Sequence, residues 1–154
     1  MREILFRGIP KDDVTRHFFA DIWKDDCEGS FVYGSLIISK DRYYICVSAL
    51  CKINCCINNG MTSMIEVIPE TVGQYTGLTD KNGKKIFSGD VVKIYLYEPK
   101  GLANYEVGCI KYDNTKARFV FCTKEGNYSI DNSNVFEVIG NIHDNPELLE
   151  GGGE

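Results

Sequence analysis

Phe87-Ser88-Gly89-Asp90-Val91-Val92-Lys93-Ile94-Tyr95-Leu96-Tyr97 decides the architecture of this chain. Gly89 punctuates a turn, and from Val91 the pattern alternates. Successive side chains of a strand point to opposite faces. Val92, Ile94 and Leu96 therefore share an inward face, while Lys93, Tyr95 and Tyr97 share an outward one. A glycine-bearing turn leading straight into such a strand fits an SH3-like small barrel.

Reading downstream, Pro99 and Gly101 break the run. Tyr105 to Tyr112 and Arg118 to Cys122 form a hairpin across Asp113-Asn114-Thr115-Lys116. Gly126-Asn127 turns the chain again, and Val135 to Ile139 is the last strand. Asn145-Pro146-Glu147 reads as a helix start, with Asn as cap, Pro in the first position and an acid in the first turn. That helix is about one turn long, through Leu148 and Leu149, and Gly151 to Gly153 form a loose tail.

Reading upstream, Asn82-Gly83 is a two-residue hairpin signal, because both residues accept positive φ cheaply. Met64 to Ile68 is a strand closed by Pro69. Phe31 to Ile38 and Arg42 to Val47 pair across Ser39-Lys40-Asp41. Cys51, Ile53, Cys55 and Ile57 alternate as a strand does, and Glu3 to Arg7 is a short strand stopped by Gly8 and Pro10. Residues 12–24 differ. Val14, Phe18 and Ile22 recur every four positions beside Phe19 and Trp23, which makes one apolar helical stripe capped by Asp12 or Asp13. The expected architecture is mostly β. An N-terminal β subdomain, 1–68, carries a short helix at about 12–24. A C-terminal SH3-like barrel, 69–150, ends in a short helix, and 151–154 is a flexible tail.

Composition limits the partners. The 154 residues are 44% hydrophobic and 25% charged, as in ordinary globular chains. Lysine and arginine number 17 against 22 acids, for a net charge of −5. Phosphate backbones repel such a chain at long range, so nucleic acid is a disfavoured partner. No stretch approaches the ~20 apolar residues that span a bilayer. The opening Met1-Arg2-Glu3-Ile4-Leu5-Phe6-Arg7 lacks the apolar run of a signal peptide. The expectation is a cytoplasmic protein with no membrane partner, whose seven cysteines remain thiols. Their odd number also argues against a complete disulfide framework.

Several groups of residues invite a chemical reading. Cys51, Cys55 and Cys56 lie within one alternating run, and three ligands do not close a tetrahedral zinc site. As small apolar residues beside Ile53 and Ile57 they need no metal. His17 and His143 stand near no recognisable nucleophile motif. Gly77 and Gly83 have the wrong spacing for a phosphate loop, and Lys84 is followed by Lys85 rather than Ser or Thr. Lys81, Lys84 and Lys85 form a basic knot near Tyr75 and Phe87, which can hold nucleic acid by charge and stacking or simply solvate a hairpin tip. The outward Tyr95 and Tyr97 are candidates for a contact face, since tyrosine is enriched at interfaces; an ordinary sheet surface looks the same. No catalytic set, metal or cofactor is expected.

The block Val67-Ile68-Pro69-Glu70-Thr71-Val72-Gly73-Gln74-Tyr75-Thr76-Gly77-Leu78-Thr79-Asp80-Lys81-Asn82-Gly83-Lys84-Lys85-Ile86-Phe87, followed by Ser88-Gly89-Asp90, resembles the signature of the YopX family. So do Glu137-Val138-Ile139-Gly140-Asn141-Ile142-His143-Asp144-Asn145-Pro146-Glu147-Leu148-Leu149, the opening Ile4-Leu5-Phe6-Arg7-Gly8, and Val32-Tyr33-Gly34-Ser35-Leu36-Ile37. Residues 9–30 are longer than the family's usual link, and Phe31 stands where it tends to place Trp. The resemblance implies a phage or prophage protein of unknown function in a bacterium, with an all-β body and an SH3-like C-terminal part. It brings no activity.

The leading expectation is a non-catalytic binding or assembly module with a protein partner or a second copy of itself. The alternative is a nucleic-acid-binding accessory protein using the basic hairpin at 79–87. A small hydrolase or metal enzyme is the third reading.

Overall fold

The computed structural model describes residues 3–13, 31–47, 63–97 and 103–150. The strands are β1 (Phe6–Gly8), β2 (Val32–Ser39), β3 (Arg42–Val47), β4 (Ser63–Val67), β5 (Gly73–Thr79), β6 (Lys85–Phe87), β7 (Asp90–Tyr97), β8 (Ala103–Asp113), β9 (Arg118–Cys122), β10 (Asn127–Ser129) and β11 (Val135–Asn141). A 3-10 turn covers Pro69–Thr71, and a final helix, α1, covers Glu147–Glu150. The chain is mostly β, and every strand pairing among the described residues is antiparallel. The expected helix lies, after Asp13, outside the described residues, as do the Cys51–Ile57 alternation and the terminal glycines.

The chain divides into two compact units, Glu3–Gln74 and Tyr75–Glu154, with the break inside β5 rather than after Ile68. In the first unit β4, β3, β2 and β1 are neighbours in that order, and Gly73 and Gln74 pair with the far side of β1. Alternation buries Val32, Ile45, Val47, Ile65 and Val67 together, with Phe6, Leu36, Tyr43 and Val72 packed against them. The β2–β3 connection is tighter than expected. Ser39 pairs with Arg42, so only Lys40 and Asp41 form the loop. Lys40 takes φ 54, which a two-residue hairpin demands because positive φ matches the strand twist. Thr71 closes this unit: Ile9 N donates to its hydroxyl at 2.9 Å, and the hydroxyl donates to Ile68 O at 2.7 Å.

In the second unit the strand order is β10-β9-β8-β7-β11, and β5 and β6 form a hairpin. One core gathers Ile86, Val92, Ile94, Ile110, Phe119, Phe121 and Phe136, edged by Leu78, Ile130 and Val138. Val92 and Ile94 are inward as the alternation requires. Leu96 is not: at 39% exposure it has run past the core at the end of its strand. Tyr97 is described by its backbone only. Gly89 takes φ 90; its N–H donates to Ile110 O at 2.8 Å, and its carbonyl accepts from Ile142 N at 2.9 Å. The Phe87–Asp90 segment is thus a turn locked to two other segments.

The Asn82-Gly83 turn has a different form from the two-residue hairpin expected. Gly83 takes φ 84, but Asn82 does not adopt positive φ. Asp80 N donates to Lys84 O at 2.8 Å and Gly83 N to Asp80 O at 3.0 Å, which makes a three-residue loop of Lys81, Asn82 and Gly83. The reason is Asp80, which is 6% exposed. Its carboxylate accepts from Asn82 N at 2.8 Å, Lys84 N at 2.9 Å and Val138 N at 3.2 Å.

Two predictions follow from the backbone. A Cβ at Gly34 would lie 2.1 Å from Cys46 O. Gly34→Ala should lower stability in urea unfolding by about 2–3 kcal/mol through overpacking. Asp80→Ala removes an acceptor shared by three backbone donors and should cost about 3 kcal/mol, while Asp80→Asn, which keeps one oxygen, should cost less than half of that.

Candidate functional site

Register brings the candidate site together on the outward face of the second sheet. Tyr95 of β7 stands opposite Tyr105 of β8, and Lys93 opposite Val107. On the other side of β7, Val135 and Glu137 of β11 stand opposite Tyr95 and Lys93. Opposed residues of an antiparallel pair share a face. The result is one strip of Tyr105, Tyr95, Lys93 and Glu137. The two tyrosine rings are 6.3 Å apart and tilted by 54°. Lys93 Nζ lies 4.8 Å from the centre of the Tyr105 ring, a cation–π distance.

Lys81 joins the strip from the β5–β6 loop. Its N–H donates to Phe136 O at 2.9 Å, which lays the loop against β11. Its ammonium then donates to Tyr95 Oη and to Glu137 Oε2, both at 3.0 Å, and sits 4.6 Å from the Tyr95 ring centre. The Tyr95 hydroxyl donates to the same Glu137 oxygen. These bonds favour the charged forms. The Tyr95 hydroxyl, then Lys81, holds the Glu137 carboxyl below its usual range, and Tyr95, then Glu137, raises the Lys81 ammonium. The pair stays 39% and 29% exposed, so water screens it and its role is to orient groups rather than to hold the fold.

Tyr105 also borders a groove of about 830 Å³ that runs along β8 and β9 beneath α1. Val107, Cys109, Cys122, Lys124 and Leu148 line it. Lys124 Nζ donates to Glu150 O at 3.3 Å and ties the groove wall to the helix. Its size falls in the usual range for binding clefts, roughly 300–1,000 Å³. An aromatic end, an aliphatic and thiol floor and lysines at the rim suit a peptide segment with mixed side chains.

The residues singled out in the sequence separate into two groups. Lys81 and Tyr95 meet. Tyr75 is only 6% exposed, 5.6 Å from the Phe87 ring, with Lys85 Nζ 5.2 Å from its own ring centre. That burial leaves little ring surface for stacking a base. Lys84 and Lys85 are half-buried rather than gathered with Lys81 at an open tip. Nothing local in the sequence joins Tyr105 and Glu137 to the outward Lys93 and Tyr95, because strand register, not composition, brings them together. His143 sits in a turn, its N–H donating to Asn141 Oδ1 at 2.9 Å. Among the described residues no three His, Cys, Asp or Glu side chains group to hold a metal ion; Cys51, Cys55 and Cys56 lie outside them. No described helix is long and apolar enough to cross a membrane.

Comparison with known proteins agrees with the motif reading. The family model described as YopX protein matches residues 22–150. The chain belongs to the YopX family. A search of curated proteins finds no match. Among solved structures, the crystal structure of protein EF1440 from Enterococcus faecalis is similar, at 20% identity and a TM-score of 0.49, covering 97% of this chain and 99% of that one.

Glu137 gives a pH signature. Its carboxyl is lowered on folding, so the stability it adds is complete above the unfolded value of about 4.3 and is lost as pH falls through the lower folded value. Urea unfolding of Glu137→Gln should therefore show a shallower loss of stability below about pH 4 than the parent chain, with the two curves parallel at pH 6–8. Equal acid slopes would show that the carboxylate is not held this way.

Proposed function

We propose that this YopX-family chain is a non-catalytic binding or assembly module, encoded by a phage or prophage and acting in the host cytoplasm. Its contact surface is the strip of Tyr95, Tyr105, Lys93, Lys81 and Glu137 with the adjoining groove. The observation that supports this most is Tyr105, 49% exposed yet fixed by its partner ring and the Lys93 ammonium. A tyrosine presented this way brings large contact area at little entropic cost. Around it lie a cation, a carboxylate and a cleft of mixed polar and apolar lining, the mixture of anchor and polar rim that protein interfaces use. A protein chain, either another component or a second copy, is the partner this chemistry fits.

Nucleic acid is the weaker reading. The net charge is −5, Lys81 is paired to Glu137, and Tyr75 is buried.

Affinity capture from phage-infected or prophage-induced cells, alongside light scattering of the purified chain, tests the proposal. A specific partner or a defined oligomer should appear. Tyr105→Ala should weaken that association by about 2 kcal/mol, roughly 30-fold, as truncated interface anchors do. A strictly monomeric chain that captures nothing, or capture indifferent to Tyr105, would contradict it.

A further inference from the structure

Cys109 and Cys122 stand directly opposite each other across β8 and β9, on the outward face. Directly opposed residues of an antiparallel pair have Cα atoms roughly 4.5–5.5 Å apart, inside the roughly 4.4–6.8 Å that a disulfide bridges. Both are free thiols. Both line the groove, and a small molecule reaches the half-buried Cys122 from solvent without unfolding the sheet. Cys122 is half-buried while Cys109 is 4% exposed, which gives the two sulfurs different access.

We propose that Cys109 and Cys122 form a dithiol site in the groove that reacts with low-molecular-weight disulfides and closes to a cross-strand disulfide. Cys122, the more open thiol, loses its proton to solvent and attacks one sulfur of the small disulfide. That S–S bond breaks, one thiolate leaves and takes up a proton, and Cys122 carries a mixed disulfide. Cys109 then loses its proton and attacks the Cys122 sulfur, and the second small thiolate leaves. The protein gives up two electrons and two protons, and the oxidant becomes two thiols. Closure draws the two Cβ atoms in from the roughly 4.5–5.5 Å of an opposed cross-strand pair towards the roughly 3.8 Å of a disulfide, on a face the strands already share.

The surroundings set the pace. Burial first, then the neighbouring Cys109 thiol, raises the Cys122 thiol above its usual value, with Asp113 adding and Lys111 opposing. Lys124, Glu106 and Glu125 are the other charged groups bordering the groove. The Cys122 thiol is therefore mostly protonated at neutral pH, and its attack is faster in alkali. The inference stands on register and groove access and is independent of the binding role.

The test treats the folded full chain with oxidised glutathione, alkylates the remaining thiols and maps the peptides by mass spectrometry. A linked Cys109–Cys122 peptide pair, reversible by dithiothreitol, should dominate over links among the other five cysteines. The preference should vanish when the same reaction is run in urea, where register is lost. Cys109→Ser should halt at a stable glutathione adduct on Cys122. The proposal is overturned if both cysteines remain alkylated while other cysteines pair, or if the link forms equally in urea.

Discussion

The buried carboxylate of Asp80 is the constraint on which the outward face depends. A side chain 6% exposed with an acceptor on each side must find donors, because an unmade bond there costs more than a made one gains. It finds them within its own loop and on β11. That shared acceptance fixes the loop against the sheet and delivers Lys81 to Tyr95 and Glu137. Lys81 would otherwise be one more solvated lysine at a hairpin tip. The surface ion pair is a consequence of this clamp and contributes little to holding it.

Strand period two does the remaining assembly. Along β7 it commits Val92 and Ile94 to the core and Lys93 and Tyr95 to the other side. Pairing with β8 and β11 extends each choice sideways. One face becomes an aromatic and aliphatic core. The other becomes a strip of tyrosines and charges running into a thiol-floored groove. A one-residue slip of β8 would send Tyr105 inward and open the cleft to the core side. The site is thus a property of register, and the locked Gly89 turn helps to fix it.

This explains what was legible in the sequence and what was not. Strands with clean alternation, such as 91–97 and 118–122, and glycine turns announce themselves locally, and the motif blocks pointed to the YopX family. Tyr95 was visible as an outward residue for the same local reason. Tyr105, Glu137, Cys109 and Cys122 are ordinary strand residues until pairing is known, and no local rule states pairing. Proximity in sequence groups Lys81 with Lys84 and Lys85, while its N–H bond to Phe136 O and its ammonium bonds carry it to Tyr95 and Glu137. Leu96 shows the opposite limit, since alternation says which face a residue takes but not where the core ends.

The central claim is that the strip around Tyr105 meets another protein chain while the exposed Tyr112 and Tyr128 meet water. Hydroxyl-radical footprinting of the purified chain and of the same chain in host extract compares tyrosines that are open in isolation: Tyr105 at 49% exposure against Tyr112 and Tyr128, each at 43%. Tyr105 less reactive than Tyr112 and Tyr128, in extract for a separate partner or already in the purified chain for a second copy, is the result this account requires. Equal reactivity of all three in both settings, or protection of Tyr128 alone, would place the contact elsewhere.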